Sequence, residues 1–90
     1  MAAISHGMNV EQVKQLGNTL KQKKQELDQI INTINTALNN TAWEGPDAVA
    51  FKTQQWPDHR THLSQIGAAI EGFGQSALNN ASEQESASSR

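Results

Sequence analysis

Apolar residues recur every seven positions in the first part of the chain at Val13, Leu20, Leu27 and Ile34, with Leu16, Ile30 and Ala37 at the intervening seam position. A seven-residue period of this kind puts one continuous stripe along a helix, and Lys23 is its one polar intruder. Ile31 and Leu38 widen the stripe beyond a bare coiled-coil seam, which predicts a bundle helix with more than one neighbour. Asn9 can cap the first amides and Gln12 stands at the reciprocal capping-box position, with Met8 and Val13 as a hydrophobic staple. Asn39, Asn40 and Thr41 supply the stop, because Asn enters the left-handed conformation at modest cost. The predicted helix covers 10–39 and is roughly 45 Å long.

A turn over 40–45 follows. Gly45 can take backbone angles closed to other residues, Pro46 is preset for the first position of a helix, and Asp47 suits that helix's positive end. In the second helix Val49, Trp56, Leu63, Ile70 and Ala77 repeat the interval of seven, with Ile66 and Phe73 in the second seam position. Gly67, Ala68, Ala69, Gly72 and Gly74 keep one region thin enough for close approach of another backbone, although each interior Gly costs about 1 kcal/mol of helix propensity. Pro57 removes a backbone donor and crowds the carbonyl of Thr53, so a kink is expected near Trp56 within a helix over 46–78. Residues 79–90 hold no large apolar side chain and are expected to be frayed or disordered; residues 1–8 are expected to be flexible.

A short connection between two long helices with matched repeats makes an antiparallel hairpin. One hairpin cannot bury both sides of its stripes. Each large aliphatic side chain gains roughly 1.5 to 3 kcal/mol on burial, so pairing of two hairpins into a four-helix bundle is the arrangement that recovers the exposed remainder. The fold class read from the pattern is therefore all-α, a helix-turn-helix hairpin that dimerises, with a single hairpin domain over 9–78.

Composition narrows the function classes. With 90 residues, 36% hydrophobic content and only two Trp and two Phe, the core must come mostly from Leu, Ile, Val and Ala. The net charge of −2 and the short run Lys21, Lys23, Lys24, followed by Glu26 and Asp28, make a poor footprint for nucleic acid. Absence of Cys removes thiolate chemistry and disulfides. The first ten residues lack the pattern of a cleaved signal peptide, and no segment approaches the roughly 20 apolar residues of a membrane span, so no stable membrane insertion is expected.

Trp43, Glu44 and Gly45 form a Trp-x-Gly triplet at mid-chain, between two amphipathic helices and followed by Ala48, Phe51 and Trp56. In this context the chain, over 8–78, resembles the small WXG-motif proteins, also called early-secreted-antigen-like (ESAT-like) proteins, of type VII secretion systems. The resemblance implies an antiparallel four-helix bundle of two hairpins, as a homodimer or a heterodimer with a related WXG-motif protein. It also implies synthesis in the bacterial cytoplasm, recognition by the secretion machinery and export in folded form without a cleaved signal peptide. Family members or their partners usually carry a C-terminal Tyr followed four residues later by Asp or Glu. This chain has no Tyr; Asn79 with Glu83 is the nearest match in spacing, a degenerate signal or one supplied by a partner.

No cofactor and no catalytic site are expected, since no Ser, His and Asp arrangement has a strand-turn-helix context and no phosphate loop exists. His59 and His62 are three apart beside Asp58, but two imidazoles without a third ligand read as solvated surface residues, with no metal. Trp43 and Gly45 can serve as a recognition surface or as a plugged turn, and the context favours recognition. Lys23 can enforce register or extend its amine to solvent, the second reading being the simpler. The competing functional reading is a cytoplasmic adaptor, a chaperone-like helical partner for a larger protein.

Overall fold

A computed structural model describes residues 4–5 and 7–88. Two short strands, β1 (Ile4–Ser5) and β2 (Met8–Asn9), pair antiparallel around Gly7 and lead into helix α1 (Val10–Asn39). Part of the 1–8 segment thus has regular pairing where a flexible lead-in was expected; residues 1–3 and 6 lie outside the described ones. The expected cap is present: Asn9 has extended backbone angles and its Oδ1 accepts the Gln12 amide at 3.1 Å.

Helix α1 ends at the expected residue but not through the expected left-handed Asn: Asn40 has φ −92° and ψ 0°, in the right-handed region. The Asn40 amide donates to the Thr36 carbonyl at 3.0 Å, and the Thr41 hydroxyl donates to the Ala37 carbonyl at 2.6 Å. Gly45 has φ 106° and ψ 175°, a conformation open essentially to glycine alone, and its carbonyl accepts the Val49 amide at 3.0 Å to start α2 (Pro46–Ala50).

The second arm is helical throughout but not uniformly α. A π turn (Phe51–Gln55) joins α2 to α3 (Trp56–Ser88), with the Trp56 amide donating to the Phe51 carbonyl. Pro57 explains its place, since a proline in a regular α-helix clashes with the carbonyl four residues earlier; one extra residue in the turn relieves this without breaking the helix. The anticipated kink takes this form. It also shifts the repeat: Ala48, eight residues before Trp56, is buried at 2% exposure, whereas Val49, seven before it, is 60% exposed. Val49 is therefore not a hairpin packing residue.

Helices α1 and α3 run antiparallel as a rod of 66 × 19 × 15 Å. The radius of gyration is 19.7 Å, against roughly 12 Å for a compact chain of this length. The helices approach most closely at Gly17 and Gly74, where a Cβ on either would sit 2.9 Å from the other's carbonyl oxygen, and a Cβ on Gly17 would stand 2.7 Å from Leu78 Cγ.

The second helix also outruns its predicted end at residue 78. It continues to Ser88, with Ala81 at 0% exposure and Glu85 Oε2 2.7 Å from Lys14 Nζ. A tail without large apolar residues docks because a small residue fits a close helix crossing and a lysine on the other arm meets its carboxylate. Residues 89–90 of the expected disordered tail lie outside the described ones.

Candidate interaction surface

The seam between α1 and α3 uses one edge of each predicted stripe and leaves the other edge bare. On α1, Gly17 and Ile31 are buried and Val13, Leu20, Lys24, Leu27 and Leu38 half-buried; on α3, Trp56, Gly67, Gly74 and Ala81 are buried and Leu63, Ile70 and Leu78 half-buried. The alternate positions remain exposed: Leu16 53%, Ile30 53%, Ile34 39%, Ile66 52% and Phe73 65%. The heptad stripe is thus shared between an internal seam and an outer surface. Sequence reasoning did not separate the two, and it missed Gly17, whose signal was its place seven residues before Lys24 and fourteen before Ile31.

The two long sides of the hairpin differ in chemistry. One is ionic: Lys14 pairs with Glu85, Lys21 Nζ donates to Gln75 Oε1 at 2.6 Å, and Lys24 meets Asp28 at 2.6 Å and Glu71 at 3.6 Å. The hydrogen bond to Glu85, reinforced by its charge and that of Glu11, raises Lys14 above its ordinary pKa; the bond to Asp28 does the same for Lys24. On this side Asn35 Oδ1 accepts both Trp56 Nε1 and Arg60 Nη1 at 3.2 Å. An open groove between the helices there is lined by Asp28, Asn32, Arg60, Ser64 and Gln65 among others.

The opposite side is apolar. Residues three, four and seven apart share a helix face, so Leu16, Lys23, Ile30 and Ile34 of α1 point away from the ionic row, as do His59, Ile66 and Phe73 of α3. In an antiparallel pair, equivalent faces of the two helices fall on the same side, which places both sets on one flank. A shallow open groove on α1, lined by Glu26, Gln29, Ile30, Thr33 and Ile34, belongs to this flank. Lys23 lies on it with its side chain 59% exposed, 3.1 Å from Glu26.

The motif turn forms the tip of the rod. Trp43 is 40% exposed and its ring rests on Phe51, centroids 5.5 Å apart and planes tilted by 53°. Lys52 Nζ clasps the turn by donating to the carbonyls of Trp43, at 3.2 Å, and Thr41, at 3.5 Å. Asn79 and Glu83 are exposed on the last turns of α3, near the start of α1, so they stand at the end of the rod away from Trp43. One chain does not bring the turn and this pair of residues together.

His59 and His62 are exposed, and among the described residues no group of three or more His, Asp or Glu is placed to hold a metal ion. No described helix is long and apolar enough to cross a membrane. Comparison with protein-family models, with curated proteins and with solved structures returns no match.

The described core is slight. Its buried apolar residues are Ile31, Ala48, Trp56 and Ala81. The accessible surface is 6514 Å², whereas a compact monomer of 9.8 kDa exposes roughly 5,200 Å². The excess, on the order of 1,300 Å², reflects the elongated shape.

Proposed function

We propose that the chain is a small exported WXG-motif (ESAT-like) protein, a substrate or export partner of a type VII secretion system, acting as a binding module through helical pairing and without chemistry of its own. The observation that carries this reading is the bare apolar flank of Leu16, Ile30, Ile34, Ile66 and Phe73 on a hairpin whose tip is the Trp43-x-Gly45 turn. Covering that flank with a second hairpin makes a four-helix bundle with the ionic sides outward. The exposed indole of Trp43, held by Phe51 and the Lys52 clasp, is a rigid feature available to the secretion machinery.

The test is secretion from cells in which the system's translocating ATPase is disabled. The reading predicts that the protein then stays inside; undiminished accumulation outside refutes it. A second reading, a cytoplasmic chaperone-like partner of a larger protein, draws on the lack of Tyr in the tail signal. It predicts that unlysed wild-type cells retain the protein.

A further inference from the structure

Lys52 is the sole Lys, Arg or His between Lys24 and His59, a stretch that holds the end of α1, the turn and the start of the second arm. Its ammonium is engaged with the backbone. The last turn of α1 has no basic residue, and Lys52 reaches across from the π turn to the carbonyls of Thr41 and Trp43 just past that end. Phe51, one residue earlier in the π turn, supports the indole of Trp43 at a centroid distance of 5.5 Å. The tip thus has a fixed aromatic centre and a cation turned toward its own main chain.

The acids of the tip have no such partner. Among the described residues, ion pairs engage Glu11, Glu26, Asp28, Glu71 and Glu85, whereas Glu44 and Asp47 are exposed and stand in none. The Phe51 amide donates to the carbonyls of Asp47 and Ala48, so the Asp47 side chain shares a helical face with Phe51, on which the Trp43 ring rests. Glu44 is the neighbour of Trp43 in the turn. An indole that is 40% exposed is therefore bordered by two carboxylates without a counter-charge. Asp47 also suits the positive end of its helix, a role that Glu44, in the turn, does not share.

We propose that the tip docks by setting Trp43 into an apolar slot of a partner protein whose rim is cationic, with Lys or Arg side chains opposite Glu44 and Asp47. Trp is among the commonest anchors of protein interfaces, and an anchor held in place before contact loses little freedom on binding. Charge decides the rim. A wholly apolar slot that covered the indole would desolvate the two carboxylates without compensation, and an acidic rim would repel them. Lys52 stays with the carbonyls of Thr41 and Trp43, so the counter-charge has to come from the partner. This inference rests on the reading of the tip as a recognition feature, and it names the chemistry of the surface that receives it.

The test puts the photoreactive residue p-benzoylphenylalanine in place of Trp43 in the full chain and maps its crosslinks by mass spectrometry in cells that make the protein. The same residue at the exposed Ala42, beside the intact indole, gives an independent reading of the site. Crosslinks should fall in an apolar segment of another protein that has Lys or Arg at its border. In either background E44K should lower the crosslink yield roughly tenfold, and E44Q should lower it less. Glu44 lies outside every helix, so helicity by circular dichroism should be kept in both variants.

Crosslinks in a segment without basic residues, crosslinks confined to copies of this chain, a yield indifferent to E44K, or no crosslink from either position overturns the proposal. ATPase-dependent secretion without the expected crosslink leaves the export reading standing and sinks the docking. A charge-sensitive crosslink on a protein whose secretion ignores the ATPase does the reverse.

Discussion

Four glycines in the helical arms sort by what a methyl group would meet. At Gly74 a Cβ would lie 2.9 Å from the Gly17 carbonyl oxygen and 3.1 Å from Lys21, whereas at Gly72 nothing stands within 4 Å. Gly74→Ala is expected to destabilise the fold by about 1 to 2 kcal/mol, overpacking outweighing the gain in helix propensity. Gly72→Ala should stabilise by up to about 1 kcal/mol. Chemical denaturation of the two variants checks the sign of each; equal effects would mean that the crossing is not close. Gly67, 3.4 Å from Leu27, lies between these extremes. Gly45 is different in kind, because its φ of 106° and ψ of 175° are strained for any side chain, so Gly45→Ala should cost about 1 to 3 kcal/mol by the same measurement. The turn glycine was legible from its place before Pro46, whereas Gly17 was not, because a glycine within a regular repeat carries no local mark of the backbone it will meet.

At the scale of elements, the caps, the turn and both arms could be read from the chain, since each has a local signal: Asn9 with Gln12, Gly45 with Pro46, and apolar intervals of seven. The π turn and the end of α3 could not. Pro57 announced a disturbance, but whether a helix kinks or inserts a residue depends on which outcome buries Trp56 against the other arm. The tail depends on a contact between residues 71 positions apart, Lys14 and Glu85. Ala81→Asp places a carboxylate where there is no exposure and should undock only the last turns, with loss of helical circular dichroism equal to roughly ten residues. An unchanged spectrum would mean that the tail does not pack. The ionic anchor has its own signature. Lys14 is held above its ordinary pKa of 10.5, so its stabilising effect is complete below 10.5 and is lost as pH rises through the raised value. The difference in melting temperature between wild type and Glu85→Gln should therefore shrink as pH passes 10.5, and a constant difference would exclude the ion pair as its source.

As a whole, the molecule is a thin rod with one ionic side, one apolar side and an aromatic tip. Its internal seam is closed largely by small residues and half-buried aliphatic ones, which brings two backbones together but hides few large side chains. Leu16, Ile30, Ile34, Ile66 and Phe73 are exposed in the hairpin, and the proposed pairing would bury them from outside it. The most direct measurement is light scattering on the purified chain together with thermal melting across a range of concentrations. The account predicts a dimer whose melting temperature rises with protein concentration, because stability and pairing are then one equilibrium. A well-folded monomer with a melting temperature independent of concentration would contradict it.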